Sequence, residues 1–348
     1  MKSENILIIY LNVGGGHKSM ANTLAEIEIK KGNKVELLCL NSDGKGNTYG
    51  PITESGYNLL TLYLKPVWYL MTTLLYSPVI INLAYYLYLF FYKEKIDQAI
   101  KQYTPDTVYH TYYFGGRYCS NNYPHIENTT YITDVFSAPR VWFSNPNNKY
   151  TVFSNEALLK AKLYGAKNTN VMPYPYPEKF KKVMTKYEKE IFQASLPNFN
   201  NTYPTVLILA GGSNMPGGEK ILSSIITSLK NTKLNLIIIC GRSKKLYNYT
   251  QSLLCDLKSP TINITLTAFT PLVYEYINLA DLVITKAGPA SILEIAKMGK
   301  PLIISSYIWE QEKANVAYVI QNNLGKYITN PDRIVSEIKT LQESKSVI

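Results

Sequence analysis

At 348 residues the chain exceeds a single typical core and suits two α/β domains. Hydrophobic residues make up 46% and charged residues 18%, with no long Gly/Ser or acidic tract, which excludes a disordered chain. The formal net charge of +11 fits a phosphate-bearing partner, a nucleotide or an anionic lipid surface; no aromatic-basic motif singles out nucleic acid, so none is expected.

MKSENILIIY lacks a basic region followed by a long apolar stretch, so no secretory leader is expected. The cysteines Cys39, Cys119, Cys240 and Cys255 form no CxxC pair and read as reduced residues of a cytosolic protein. Ile6 to Leu11 is a short apolar run ending in glycines, followed by a helical pattern from His17 to Lys31 and a second strand from Val35 to Leu40. This is a β-α-β opening. Residues 66–92 then carry no charge and have the length of a membrane span, but Pro78 and Asn82 interrupt them and tyrosines are spread along them. The preferred reading is an interfacial patch in which Trp68, Tyr69, Tyr85 and Tyr86 meet an anionic membrane surface flanked by Lys65, Lys93 and Lys95. A buried helical pair and a true span are the alternatives.

Further strands are expected at Thr107 to Phe114, Thr130 to Thr133 and Thr151 to Ser154, with a helix from Glu156 to Tyr164. A proline-rich, then charged, then turn-rich stretch follows. The expected division is an N-terminal domain over 1–178 with an apolar insert at about 57–92, a linker over 179–203, a C-terminal domain over 204–330 and a terminal helix over 331–348. Strands at Val206 to Leu209, Leu234 to Cys240, Ile262 to Leu266, Leu282 to Thr285 and Leu302 to Ser305 alternate with helical stretches. Such alternation implies parallel sheets, hence an α/β chain of two Rossmann-like domains facing a cleft, with chemistry in the loops after the strands.

The first such loop contains Gly14, Gly15, Gly16 and His17. Glycines admit a ligand to the backbone, and a helix start favours negative charge. A dinucleotide fingerprint is incomplete: Gly14 and Gly16 fit, but Ser19 stands at the third glycine and Asn41 where an acid is expected after strand two. His17, at a helix start, is disfavoured as imidazolium and so suits a catalytic base; a structural histidine is the alternative. Asp134, just after a strand, either caps a turn or orients His17 or an acceptor hydroxyl. In the second half Gly211, Gly212, Ser213 and Asn214 offer a backbone nest for a diphosphate, and Gly241 and Arg242 end the next strand. Gly288 and Pro289 precede a helix carrying Glu294, a carboxylate able to accept two ribose hydroxyls; Gln311, Glu312 and Asn315 follow at the same edge.

GGGH in the first loop, TKAGPASILE and the later QEKAN together resemble the monogalactosyl- and glucosyl-diacylglycerol synthases, relatives of the peptidoglycan N-acetylglucosaminyltransferase. The resemblance covers roughly residues 5–330 and is sharpest from Ala268 to Leu324. It implies a GT-B fold that moves a hexose from UDP-glucose or UDP-galactose to diacylglycerol or a related lipid, with no cofactor beyond the donor substrate. By that resemblance His17 is the base, Glu294 binds ribose and Phe269 lies near uracil. Gly212, Ser213 and Arg242 surround the diphosphate, and Gln311 and Glu312 the sugar hydroxyls. The relatives' P-G-Q-E reads Trp309-Glu310-Gln311-Glu312 here. An inverting displacement without metal is expected, in keeping with the lack of a D-x-D motif, on the cytoplasmic face of a membrane. Transfer of N-acetylglucosamine to a polyprenyl-linked acceptor, sugar-nucleotide epimerisation and a non-catalytic lipid-binding role are the rival readings.

Overall fold

Apolar runs of five or six residues, too short for helices and set between longer amphipathic segments, become the strands of two parallel sheets. The computed structural model describes residues 3–42, 49, 53–211, 215–257, 261–308 and 311–346. It divides into one unit of Met1–Glu178 with Trp309–Ala314 and a second of Lys179–Ile308 with Asn315–Ile348.

The first unit runs β1 (Asn5–Tyr10), α1 (Gly16–Lys30), β2 (Lys34–Cys39), α2 (Glu54–Leu62), α3 (Lys65–Leu74), α4 (Pro78–Tyr103), β3 (Thr107–His110), α5 (Gly115–Asn122), β4 (Glu127–Tyr131), β5 (Lys149–Val152), α6 (Asn155–Leu163) and β6 (Asn168–Val171). Its six strands lie in the order β2-β1-β3-β4-β5-β6, every pair parallel. Ile6, Leu7, Ile8 and Ile9 of β1 are buried because helices cover both faces of a central parallel strand. The order reverses between β1 and β3, so the loops leaving those two strands form the crevice where such sheets take ligands.

The second unit contains α7 (Lys186–Ala194), β7 (Thr205–Leu209), α8 (Gly218–Leu229), β8 (Asn235–Ile239), α9 (Lys244–Cys255), β9 (Asn263–Thr267), α10 (Val273–Leu279), β10 (Leu282–Lys286), α11 (Pro289–Lys297), β11 (Leu302–Ser306), α12 (Lys313–Gln321), β12 (Gly325–Tyr327) and α13 (Pro331–Ser346). The strand order is β12-β11-β10-β7-β8-β9, again all parallel, with the reversal between β7 and β10. Val206, Ile208, Ile225, Leu236, Ile284 and Ile338 share one apolar core, so α13 is bound into this domain through Ile334, Val335 and Ile338.

Several expectations need correction. β3 ends at His110 rather than Phe114: the chain turns away after Thr111, and Phe114 takes a φ of 74° at the entrance to α5. The polar edge strands β6 and β12 lack the apolar run that marks a strand in sequence. The stretch expected as a linker, 179–203, is structured and belongs to the second unit. Within it Thr185 and Glu188 form a capping box at the start of α7, and Phe192 meets Tyr276 edge-on at 5.0 Å.

Helices α3 and α4 occupy the uncharged insert. Among the described residues no single helix is long and apolar enough to cross a membrane, and α3 with α4 meets that measure only as a pair bent by 103°. One face of α4 buries Ile81, Tyr85, Tyr88, Tyr92, Ile96 and Ile100 against the first unit. The other exposes Val79, Leu83, Tyr86, Leu87 and Phe90. Tyr85 is therefore not a membrane contact: it is buried, and the Arg117 guanidinium stacks 3.9 Å over its ring. Trp68 is half-buried edge-on against Tyr57, while Tyr69 and Tyr86 are exposed.

Candidate functional site

His17 enters α1 directly behind the glycines. Gly14 and Gly15 have φ of 67° and 87°, left-handed values that a side chain would strain, and the Tyr57 ring lies 3.8 Å from where a Gly14 Cβ would stand. Asn41, in the position where an acid is expected in dinucleotide enzymes, fastens this loop instead: its Oδ1 accepts from the Asn12 amide at 2.8 Å. The loop thus delivers His17 to the β1/β3 crevice. There His17 Nδ1 lies 2.6 Å from the Thr111 carbonyl and 2.9 Å from the Thr133 hydroxyl, and Thr111 Oγ1 donates to the His17 carbonyl at 2.9 Å. A carbonyl only accepts, so Nδ1 carries the proton and Nε2 is the basic nitrogen of the neutral ring. Burial lowers the imidazole pKa below 6.5, against the opposing pull of the Asp134 charge and the Thr111 bond.

Asp134 is also buried, and burial raises its carboxyl pKa. Its Oδ2 accepts from Trp142 Nε1 at 2.7 Å and its Oδ1 from Gln311 Nε2 at 3.4 Å. Because Thr111 and Thr133 occupy His17 Nδ1, Asp134 acts on the ring by charge. The Tyr57 hydroxyl donates to Gln311 Oε1 at 3.2 Å, which leaves Gln311 bridging Tyr57 and Asp134. Gln311 and Glu312 were expected to join the donor site of the C-terminal domain. Their segment clusters with the first unit, where the Gln311 amide gives the buried Asp134 carboxylate one of its donors.

In the second unit the loops after β7, β8, β9 and β10, with helices α11 and α12, carry the remaining residues. Gly211 has a φ of 76°; Gly212, Ser213 and Asn214 lie outside the described residues. Gly241 has a φ of 60°, and the Arg242 guanidinium stands 5.0 Å over the exposed ring of Phe269, so the residues expected near phosphate and uracil are neighbours. Gly288 caps α11 and Pro289 starts it with preset backbone geometry. Glu294, half-buried on α11, has its carboxyl pushed up to about 7 by burial, against the lowering influence of Lys179. Asn315 Nδ2 donates to the Ala287 carbonyl at 2.7 Å.

Thr111, Thr133, Trp142 and Tyr57 were not anticipated. Thr133 and Trp142 lie close to Asp134 in sequence and could have been weighed with it. Thr111 and Tyr57 gave no local signal: Thr111 becomes relevant only because β3 pairs with β1, and Tyr57 because its helix lies against the glycine loop.

Residues 205–346 match the glycosyltransferase family 28 C-terminal domain. The chain is 26% identical over 352 residues to a chloroplastic monogalactosyldiacylglycerol synthase of Spinacia oleracea, covering 96% of this chain and 65% of that protein. Monogalactosyldiacylglycerol synthase 1 of Arabidopsis thaliana is 27% identical over 348 residues, with 96% and 64% covered. The chain thus spans slightly less than two thirds of the length of these relatives. Among solved structures, Acinetobacter baumannii MurG superposes with a TM-score of 0.54 at 16% identity, covering 97% of this chain and 90% of that one. A UDP-GlcNAc 2-epimerase from Neisseria meningitidis, bound to UDP-GlcNAc, gives 0.60 at 12% identity, with 97% and 91% covered. At these identities the structural likeness shows the fold alone, which is GT-B.

Proposed function

From a chain of glycosyltransferase family 28 type, with that family's C-terminal domain over residues 205–346 and a GT-B fold, we propose a UDP-sugar-dependent hexosyltransferase acting on diacylglycerol or a related lipid. The observation that carries the proposal is His17: a buried, neutral imidazole with Nδ1–H held by the Thr111 carbonyl and Nε2 left as the base. Nε2 takes the proton of an acceptor hydroxyl while that oxygen bonds to the anomeric carbon. The bond from that carbon to the β-phosphate oxygen breaks, its electron pair leaves with UDP, and configuration inverts. Asp134 stabilises the imidazolium by charge.

The second unit binds the donor: Glu294 takes the ribose hydroxyls, Phe269 lies beside uracil, and Arg242 with the loop after β7 holds the diphosphate without a metal. The names of the relatives support galactose as the sugar and diacylglycerol as the acceptor. The exposed apolar stripe of α4 supports peripheral attachment to a membrane, which this reading puts on its cytoplasmic face.

The test is release of UDP from UDP-galactose and from UDP-glucose, with and without diacylglycerol vesicles. Release is expected only with vesicles, and His17→Ala should lower it about 100- to 10,000-fold. Equal release by His17→Ala would remove the base from this scheme, and an absence of vesicle-dependent turnover would remove the lipid acceptor.

A further inference from the structure

β10 does not end as its neighbours do. Its pairing with β11 runs Val283 to Leu302, Ile284 to Ile303 and Thr285 to Ile304, then slips so that Lys286 faces Ser306. Such an irregularity at a strand end re-aims the next side chain, and here it falls at the β7/β10 reversal. Thr285 is held inward, its hydroxyl donating to the Leu209 carbonyl at 2.7 Å. Lys286 runs along the loop leaving β7: a Cβ on Gly211 would lie 3.2 Å from Lys286 Cε and 3.9 Å from its Cδ. Gly211 therefore serves two needs, a left-handed φ of 76° and room for a lysine stem. Lys286 itself is buried.

A lysine is seldom buried unless its charge is matched, and this one lies at the ligand edge of the sheet with its stem against Gly211, in the loop read above as holding the diphosphate. Two further polar atoms flank the same backbone. Asn315 Nδ2 donates to the Ala287 carbonyl, which turns its Oδ1 away, and the Ser306 carbonyl accepts from the Ala287 amide. Asn315 Oδ1 and Ser306 Oγ are buried with no hydrogen-bond partner among the described residues. A lysine whose register partner Ser306 carries a buried hydroxyl, and whose chain neighbour Ala287 is bonded by an Asn315 with a buried acceptor, is the chemistry that meets a phosphate ester bearing a polyhydroxylated group.

We propose that Lys286 is a catalytic residue of the donor site, its ammonium contacting the β-phosphate of the nucleoside diphosphate sugar and stabilising the charge that develops there as the anomeric bond breaks. This rests on the donor reading given above and extends it to a residue which that reading leaves out. The electron pair of the breaking bond stays on the β-phosphate oxygen, Lys286 keeps its proton, and the acceptor proton goes to His17. Ammonium to phosphate is a charge-assisted contact, and loss of one such contact corresponds to about a 10- to 100-fold change in affinity.

The experiment compares UDP with uridine as ligands of the full chain, by calorimetry, for wild type, Lys286→Met and Lys286→Arg. Expected are a rise of about tenfold or more in the UDP Kd of Lys286→Met, unchanged uridine affinity, and partial recovery in Lys286→Arg. Wild-type UDP binding matched by Lys286→Met overturns the role of Lys286 and leaves the donor reading intact, whereas a wild type that binds neither ligand overturns both. Should Lys286→Met fail to fold, a wild-type crystal structure with UDP decides: Nζ within hydrogen-bond distance of a β-phosphate oxygen supports the assignment, and Nζ directed elsewhere rejects it.

Discussion

His17 has two opposed influences on its ring, burial favouring the neutral form and the Asp134 charge favouring imidazolium, and burial is the larger. A base must be unprotonated to act, so the acidic limb of kcat/KM against pH should have its midpoint below 6.5. Asp134→Asn, by removing the raising influence, should move that limb to still lower pH; a shift upward would contradict this assignment of charges. Glu294 gives the opposite sign. Its carboxyl is raised to about 7 in the folded protein, so the stability it contributes is present below its ordinary value near 4.5 and lost as pH rises through about 7. Glu294→Gln should therefore gain on wild type between pH 5 and pH 8, by on the order of 2 kcal/mol once solvent at the exposed edge is allowed for, measured by urea unfolding without nucleotide. His17 was legible in sequence because three glycines and a helix start fix its setting. Its partners were not, because Thr111 meets it only across a strand pair 94 residues distant in the chain.

Among the elements, α4 carries two stripes at helical spacing. The tyrosine-rich stripe that looks suited to a headgroup region faces inward, where Tyr88 and Phe114 approach to 5.7 Å and Tyr88 and Tyr92 to 5.3 Å. Residue type alone misassigned Tyr85, since a tyrosine satisfies a crowded core as readily as an interface. The outward stripe is the aliphatic and phenyl one. Replacing Val79, Leu83 and Phe90 together by serine should lower partitioning onto anionic vesicles at least about tenfold while leaving the far-UV spectrum unchanged, given about 1.5–3 kcal/mol for each large apolar side chain fully buried. Retained partitioning would move the membrane contact off α4. Tyr85→Ala is the contrasting variant: it should destabilise the first unit by about 2–5 kcal/mol, because it empties a packed site under Arg117.

At the scale of the whole molecule, the alternation of strands and helices was readable because parallel central strands are continuous apolar runs, as in NLIII of β8 and LVITK of β10. Two strands and one boundary escaped for the complementary reason. NTNV of β6 and GKY of β12 are edge strands with little to bury, and the segment after Pro177 mixes turn residues with a helix whose cap is local but whose packing partner, Tyr276, is distant. The excursion of the 309–314 segment into the first unit has no sequence signature, since the bonds of Gln311 to Tyr57 and Asp134 join residues far apart in the chain.

That excursion sets an order of events during synthesis. All six strands of the first sheet are made by Val171, and domains fold as units as they leave the ribosome, N-terminal first. The sheet that holds His17 can therefore close while the second domain is still being translated. Gln311 emerges about 140 residues after β6 ends, at a few to about twenty residues per second, so Asp134 spends several seconds at least with one carboxylate oxygen lacking its amide donor. The neighbourhood of the base is completed by nearly the last tenth of the chain, and a ribosome that stalls before β11 leaves a finished sheet around an unfinished site.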